Sequence, residues 1–95
     1  MAQAMNVLLT TTLTVSNVSI ALPTIPSAAK RVYITSETDA VRWRADGTAP
    51  TAAEGHVLAK DDSISFTSFN YRQLLEQIRF IRVTGDATLK ITYFD

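Results

Sequence analysis

The side chains that catalysis would require are few in this sequence and poorly spaced for the task. His56 is the only histidine and cysteine is absent, so one chain cannot supply a two-histidine metal site, a thiolate ligand or a cysteine nucleophile. Asp61 and Asp62 are adjacent, and neighbouring residues of a strand face opposite ways, which makes them a poor acid–base pair. No serine lies in a Gly-x-Ser-x-Gly turn, and there is no glycine-rich phosphate loop. We therefore predict no enzyme activity, no catalytic residue and no cofactor.

Three further acids, Asp39, Asp46 and Glu54, could converge in space. Sites for hard cations usually show a denser set of oxygen ligands in the sequence, so we predict no metal site. His56 follows Gly55 at the end of a polar stretch, and we expect it to be a hydrogen-bonding loop residue.

The charge balance argues against two other classes of partner. The sequence contains nine basic and nine acidic side chains, so the formal net charge is zero. Proteins that neutralise many phosphates usually carry a basic excess, as do proteins held on anionic membranes. No stretch reaches the roughly 20 apolar residues of a membrane span, and the start lacks the basic residues of a secretory signal. We expect a soluble protein that has no leader and binds neither nucleic acid nor membrane.

What remains is the chemistry of a protein surface. Arg42 and Arg44 project from one face of a predicted strand, and arginine is favoured in protein interfaces. The alternative is a solvated sheet face whose arginines pair with nearby acids. Trp43, between them, points to the other face and is predicted to join the core. The turn-rich stretch 45–55 predicts a structured surface loop. Its candidate contact residues are Asp46, Thr48, Pro50, Thr51 and Glu54.

The uncharged N-terminal segment 1–16 is the strongest physical indication of a partner. Residues 7–15 have high β-propensity and contain no charge, proline or glycine. A bare edge strand of this kind invites aggregation, and native proteins normally cover or pair it. We therefore expect Val7, Leu9 and Leu13 to be sheltered by a neighbouring subunit or by the domain's own sheet.

Alternating side chains place these residues in one all-β domain over 1–95. The pattern predicts about eight short strands and one short helix near 70–77, which Asn70 would cap. Without β–α–β alternation, an antiparallel β-sandwich resembling a jelly roll is favoured, with a small closed barrel as the alternative. The turn 84–86 predicts a terminal hairpin between the last two strands. The predicted strands cover residues 7–15, 20–22, 31–35, 40–44, 57–58, 63–66, 78–83 and 87–94.

Two parts of the sequence carry a family resemblance. They are the run RWRADGTAPT at 42–51, followed by Glu54-Gly55-His56 and Leu58, and the ending IRFIR at 78–82 with ATLKITY at 87–93. Together, over residues 32–93, they resemble small structural proteins from the virion gene clusters of tailed bacteriophages. The resemblance implies a capsid decoration, or cement, protein on the capsid exterior, made in the bacterial cytoplasm. Its implied partners are the major capsid protein or other virion proteins, and copies of itself in a small oligomer such as a trimer.

Other functions fit parts of the same evidence. A tail, connector or fibre-associated virion module would share the fold and the lack of a catalytic site. A carbohydrate-binding β-sandwich would need exposed rings beside polar groups, which Tyr33, Tyr71 and Phe94 could supply.

Overall fold

The computed structural model describes residues 6–67 and 72–95. Residues 1–5 of the predicted arm, and the helix positions Asn70 and Tyr71, lie outside the described residues. The described part contains eight strands and one helix: β1 (Val7–Val15), β2 (Ile20–Ala21), β3 (Arg31–Glu37), β4 (Val41–Arg44), β5 (His56–Leu58), β6 (Ser63–Thr67), α1 (Arg72–Gln77), β7 (Arg79–Arg82) and β8 (Ala87–Phe94).

The strands form two four-stranded antiparallel sheets. The first sheet has the order β1-β8-β3-β6 and the second has the order β2-β7-β4-β5. Every strand pair is antiparallel, which confirms the predicted all-β antiparallel class. Among the described strands, β4 and β5 are the only consecutive pair within one sheet, so the chain otherwise alternates between the two layers.

The predicted terminal hairpin is wrong, because β7 and β8 belong to different sheets. The turn between them packs closely on another connection instead. A Cβ added to Gly85 would lie 2.7 Å from the Asp39 carboxylate, and the Val83 N–H donates to the Ala40 carbonyl at 3.3 Å. The connection therefore crosses between the layers beside the β3–β4 turn.

Alternation explains which faces become buried. On β8, Leu89, Ile91 and Tyr93 are fully buried, while Lys90 on the opposite face is exposed. Directly paired residues share a face, so Leu13 opposite Leu89 also lies inside. These inner side chains join Val41, Leu58 and Phe80 of the second sheet in a single core cluster. The two sheets therefore share one hydrophobic core.

The helix covers part of this core. In α1 and just after it, Leu75 and Ile78 are buried, while Leu74 packs partly against the cluster. The short helix predicted near 70–77 is therefore present over its described part. The third strand runs two residues further than predicted, because Ser36 and Glu37 still pair with β8. The Ser36 hydroxyl can be buried there because it donates to the Asp39 carbonyl at 2.7 Å.

Two of the strands carry much of the uncharged segment, and each lies at an edge of its sheet. β1 ends the first sheet and pairs with β8 alone among the described strands, while β2 ends the second sheet. A β-bulge lies between Val7 and Leu9. Because of it, Val7 lies opposite Phe94 on the outer face, whereas Leu9 lies opposite the buried Tyr93.

Candidate protein-interaction site

Arg42 fixes the polar loop 45–55 to the body of the protein. It lies on β4 opposite Val57 of β5. Its Nε donates to the Ala52 carbonyl at 2.8 Å, and its Nη1 donates to the Gly55 carbonyl at 2.8 Å. Hydrogen bonds from a charged donor are stronger than neutral ones, so these two bonds hold the loop in a defined shape. The Arg42 guanidinium thus acts first within its own chain.

Arg44 is also paired inside the loop. Its guanidinium contacts the Asp46 carboxylate twice, with Nε donating to Oδ1 at 3.2 Å and Nη2 donating to Oδ2 at 2.5 Å. The Thr48 N–H donates to the same Oδ1 at 3.1 Å. The Arg44 hydrogen bond, and then the Thr48 N–H, lower the pKa of Asp46, and the Asp46 hydrogen bond raises the pKa of Arg44. Since the pair is exposed, it orients the loop more than it stabilises the fold.

The tip of the loop is a compact turn closed by Thr51 and Glu54. The Thr51 N–H donates to the Glu54 carbonyl at 3.0 Å, and the Glu54 N–H donates back at 3.2 Å. The Thr51 hydroxyl accepts from the N–H groups of Ala53 and Glu54 at 3.2 and 3.0 Å. Pro50 is buried, while Thr48, Thr51 and Glu54 are exposed. The loop therefore presents exposed polar groups on a pre-formed backbone.

An open depression of about 520 Å³ lies where this loop meets strands β4 and β5. Trp43 and His56 line it with ring centroids 4.8 Å apart, and the Trp43 and Phe66 rings meet edge to face with centroids 5.3 Å apart. Arg44 and Glu54 also line it. Trp43 is half-buried and packs against the core, as predicted, at its border. His56 is the first residue of β5 and contacts an aromatic ring, so its prediction as a loop residue is wrong.

The predicted contact residues of β1 differ in exposure. Val7 is 59% exposed, Leu9 is half-buried, and Leu13 is 8% exposed within the protein's own core. The side chain of Leu13 therefore packs inside the domain, and what β1 offers a partner at this position is its backbone edge. On the outer face, Thr10 and Thr12 are exposed.

The structure separates the predicted site residues into two surfaces. Val7, Leu9 and Leu13 lie on β1, at one edge of the first sheet. The other group lies on β4 and the loop that joins it to β5, in the second sheet. Its members are Arg42, Arg44, Asp46, Thr48, Pro50, Thr51 and Glu54. We refer below to the first surface as the β1 edge and to the second as the hairpin loop.

A cleft of about 260 Å³ at the end of the first sheet where β3 pairs with β6 and β8 joins two of the rings that the sequence pointed to. Its lining includes Tyr33, which is 45% exposed, and Phe94. Arg31 lies in the same cleft and was not singled out from the sequence. The sequence did place Arg31 and Tyr33 on the same face of the predicted strand 31–35. The pairing of Arg31 with Phe94 is a tertiary feature that the structure adds. The third ring, Tyr71, lies outside the described residues.

Within residues 6–67 and 72–95, no group of three or more histidine, cysteine, aspartate or glutamate side chains is placed to hold a metal ion. The same described part contains no helix with the length and apolar character needed to cross a membrane. Comparison of the chain with protein families, with curated proteins and with solved structures finds no match.

Proposed function

We propose that this protein is a structural component of a tailed-bacteriophage virion, a capsid decoration protein that binds the shell exterior and stabilises it by contacting neighbouring capsid subunits. The observation that carries the proposal is the β1 edge: a long, uncharged edge strand with no second strand partner among the described residues. Edges of this kind are normally covered, so this one fits a protein that works in an assembly. The resemblance over residues 32–93 directs the proposal to a virion.

We further propose that the two sheets form a jelly roll. Supporting this, β1 pairs with β8, β2 with β7, β3 with β6 and β4 with β5. A long antiparallel hairpin folded over into two layers produces this pairing of first with last strand, and so on inward. Jelly rolls occur in viral capsid proteins and also in lectins, so the fold agrees with the proposal without deciding between these functions.

The hairpin loop supplies the second contact surface. Its backbone is already held by Arg42 and by the turn at Thr51, so little conformational entropy would be lost when it docks. Its exposed hydroxyl and carboxylate groups suit a polar contact with a capsid subunit. A shell repeats each weak contact many times, and a small oligomer of the protein would engage several subunits at once.

Binding to expanded, DNA-free capsids of the encoding phage tests the proposal. Thr48→Arg places a bulky charged side chain on the exposed loop, and we expect it to weaken capsid binding by about ten-fold or more. Ser63→Arg is the matched control, because it makes the same addition at an exposed hydroxyl residue of β6. Co-sedimentation with capsids measures both affinities. An absence of capsid binding by the unaltered protein at saturating concentration refutes the proposal.

The cleft at Tyr33 and Phe94 favours one second candidate, a carbohydrate-binding β-sandwich. An exposed ring next to Arg31, Ser65 and a second ring offers both stacking and hydrogen bonding to a sugar. Titration of the protein against host-surface glycans, with Tyr33→Ala as the variant, separates this function from decoration. Glycan binding that is lost in Tyr33→Ala supports the candidate, and no binding to any glycan excludes it.

A further inference from the structure

The central part of β1 reads the same in both directions. Residues 9–13 are Leu-Thr-Thr-Thr-Leu, with Thr11 at the centre. When such a segment pairs antiparallel with a copy of itself about Thr11, leucine lies opposite leucine and threonine opposite threonine. Thr–Thr pairs and apolar pairs across strands both stabilise a sheet. The segment is therefore complementary to itself, in the one orientation that a two-fold axis produces.

The faces of β1 agree with this pairing. Thr11 and Leu13 lie opposite Ile91 and Leu89 of β8, both fully buried, so they point inward, whereas Thr10 and Thr12 point outward. A two-fold axis perpendicular to the sheet through Thr11 keeps the inner faces of both copies on the same side. The two first sheets would then join into one sheet of eight strands with a continuous buried face.

The surroundings of the β1 edge also favour an uncharged partner. Residues 6–29, which include β1, β2 and their connection, contain no charged side chain. Three of the five exposed large apolar residues of the described chain lie in this segment: Val7 at 59%, Val18 at 68% and Ile20 at 37% exposure. A second copy brings a surface of the same uncharged character to the contact.

We propose that the occupant of the β1 edge is the β1 edge of a second copy, paired antiparallel about Thr11. The β-bulge between Val7 and Leu9 ends the regular register, so the paired segment is residues 9–13. The inference deepens the proposed function and rests on β1 being a contact strand. Its tests need no capsid: a protein that decorates capsids but does not pair refutes the inference alone.

Charge substitutions on the outer face test the register. In the pair, position 10 lies opposite position 12 of the second copy. Thr10→Glu/Thr12→Glu therefore sets like charges opposite each other twice, and Thr10→Lys/Thr12→Glu sets opposite charges there. Within one chain both variants place Glu opposite Lys90 and differ only opposite the uncharged Thr92. Each is compared with the unaltered protein by sedimentation over a range of concentrations, with circular dichroism as the check of folding.

We expect the first variant to raise the dimer dissociation constant by about ten-fold or more, and the second to leave it unchanged or lower it. High salt should reduce the difference between the variants. Equal dissociation constants for the two variants overturn the proposal, as does an unaltered protein that is monomeric up to millimolar concentration or forms a trimer.

Cysteine substitution gives an independent test, because the chain contains no cysteine. At a two-fold pair the Cα atoms of the two Thr11 residues are about 4.5–5.5 Å apart, within the range of a disulfide. The Cα atoms of the two Thr10 residues are about 8 Å apart, because Thr10 lies opposite Thr12 of the second copy, two positions from Thr10 of that copy. Thr11→Cys should form a disulfide-linked dimer under mild oxidation, and Thr10→Cys should not. Equal cross-linking of the two variants, or none in either, overturns the proposal.

Discussion

Gly55 closes the hairpin loop against the body of the protein, and replacing it by alanine should destabilise the fold. Its φ angle is +129°, a conformation that L-residues rarely adopt. An added Cβ would lie 3.0 Å from the Trp43 carbonyl oxygen and 3.3 Å from the Pro50 Cβ. The first neighbour is backbone and the second is a rigid, buried ring, so neither can move aside cheaply. The substitution therefore meets both an unfavourable backbone angle and a crowded site.

Gly47 offers a matched comparison in the same loop. Its φ is +86°, but an added Cβ would meet no atom within 4 Å. Gly47→Ala should cost about 1 kcal/mol for the left-handed backbone, offset in part by lower entropy of the unfolded chain. Gly55→Ala should carry at least that backbone cost, because a φ of +129° lies outside the left-handed helical region, and the close contacts add about 1–3 kcal/mol. We expect Gly55→Ala to be less stable than Gly47→Ala by about 2 kcal/mol.

Urea unfolding followed by tryptophan fluorescence measures this difference, because Trp43 is the only tryptophan and borders the loop. With a denaturant slope of about 1–3 kcal/mol/M, the midpoints of the two variants should differ by about 1 M. Equal midpoints would show that the loop moves to accept the added methyl group. A higher midpoint for Gly55→Ala would refute the steric reasoning outright.

Three other perturbations probe the core and the loop anchor. Burial raises the pKa of Tyr93 to about 12 from 10.0. The free energy of unfolding should therefore be unaffected below pH 10 and fall by up to about 3 kcal/mol as the pH rises to 12. Urea titration at each pH measures this loss, which should be absent in Tyr93→Phe. Leu89→Ala empties a fully buried position and should cost about 2–5 kcal/mol by the same assay; a cost under 1 kcal/mol would contradict the assigned core. Arg42→Met keeps the apolar stem but removes the donors to the Ala52 and Gly55 carbonyls. Hydrogen exchange of the loop amides should therefore become faster. Unchanged protection of these amides would disprove the anchoring role.

The sequence was most informative where a strand is long and its alternation regular. β1 and β8 have the predicted bounds, 7–15 and 87–94, because each has a clear inner row and turn residues at its ends. The end of β3 was missed, since Ser36 looks like a turn residue and only its hydrogen bond to the Asp39 carbonyl makes burial acceptable. Turn composition at 84–86 led to the wrong prediction of a hairpin, because three polar or small residues can either close a hairpin or connect two sheets. The close packing of Gly85 on Asp39 is a tertiary contact that no local pattern encodes.

The two candidate surfaces were predictable in outline and not in detail. The spacing of Arg42 and Arg44 placed both on one face, and the turn-rich composition identified the loop that follows. The sequence could not predict that Arg42 anchors the loop while Arg44 pairs with Asp46, because the acceptors of Arg42 are carbonyls 10 and 13 residues away. Backbone carbonyls have no sequence signature, whereas the Arg44–Asp46 pair is local in the chain.

The β1 edge has to satisfy two opposed requirements, and its sequence addresses both. A strand that pairs only in the assembled state must not pair indiscriminately beforehand, although high β-propensity and lack of charge favour such pairing. Threonine at 10 and 12 keeps β-propensity while placing hydroxyl groups, not apolar groups, on the exposed face. The bulge between Val7 and Leu9 interrupts the register, so two copies paired about Thr11 gain about five paired residues and no more. A contact this short is weak in isolation, and under the proposed function its effect would be multiplied where many copies repeat it. Removing the bulge would therefore favour uncontrolled association over defined pairs, which is why we regard it as part of the interface.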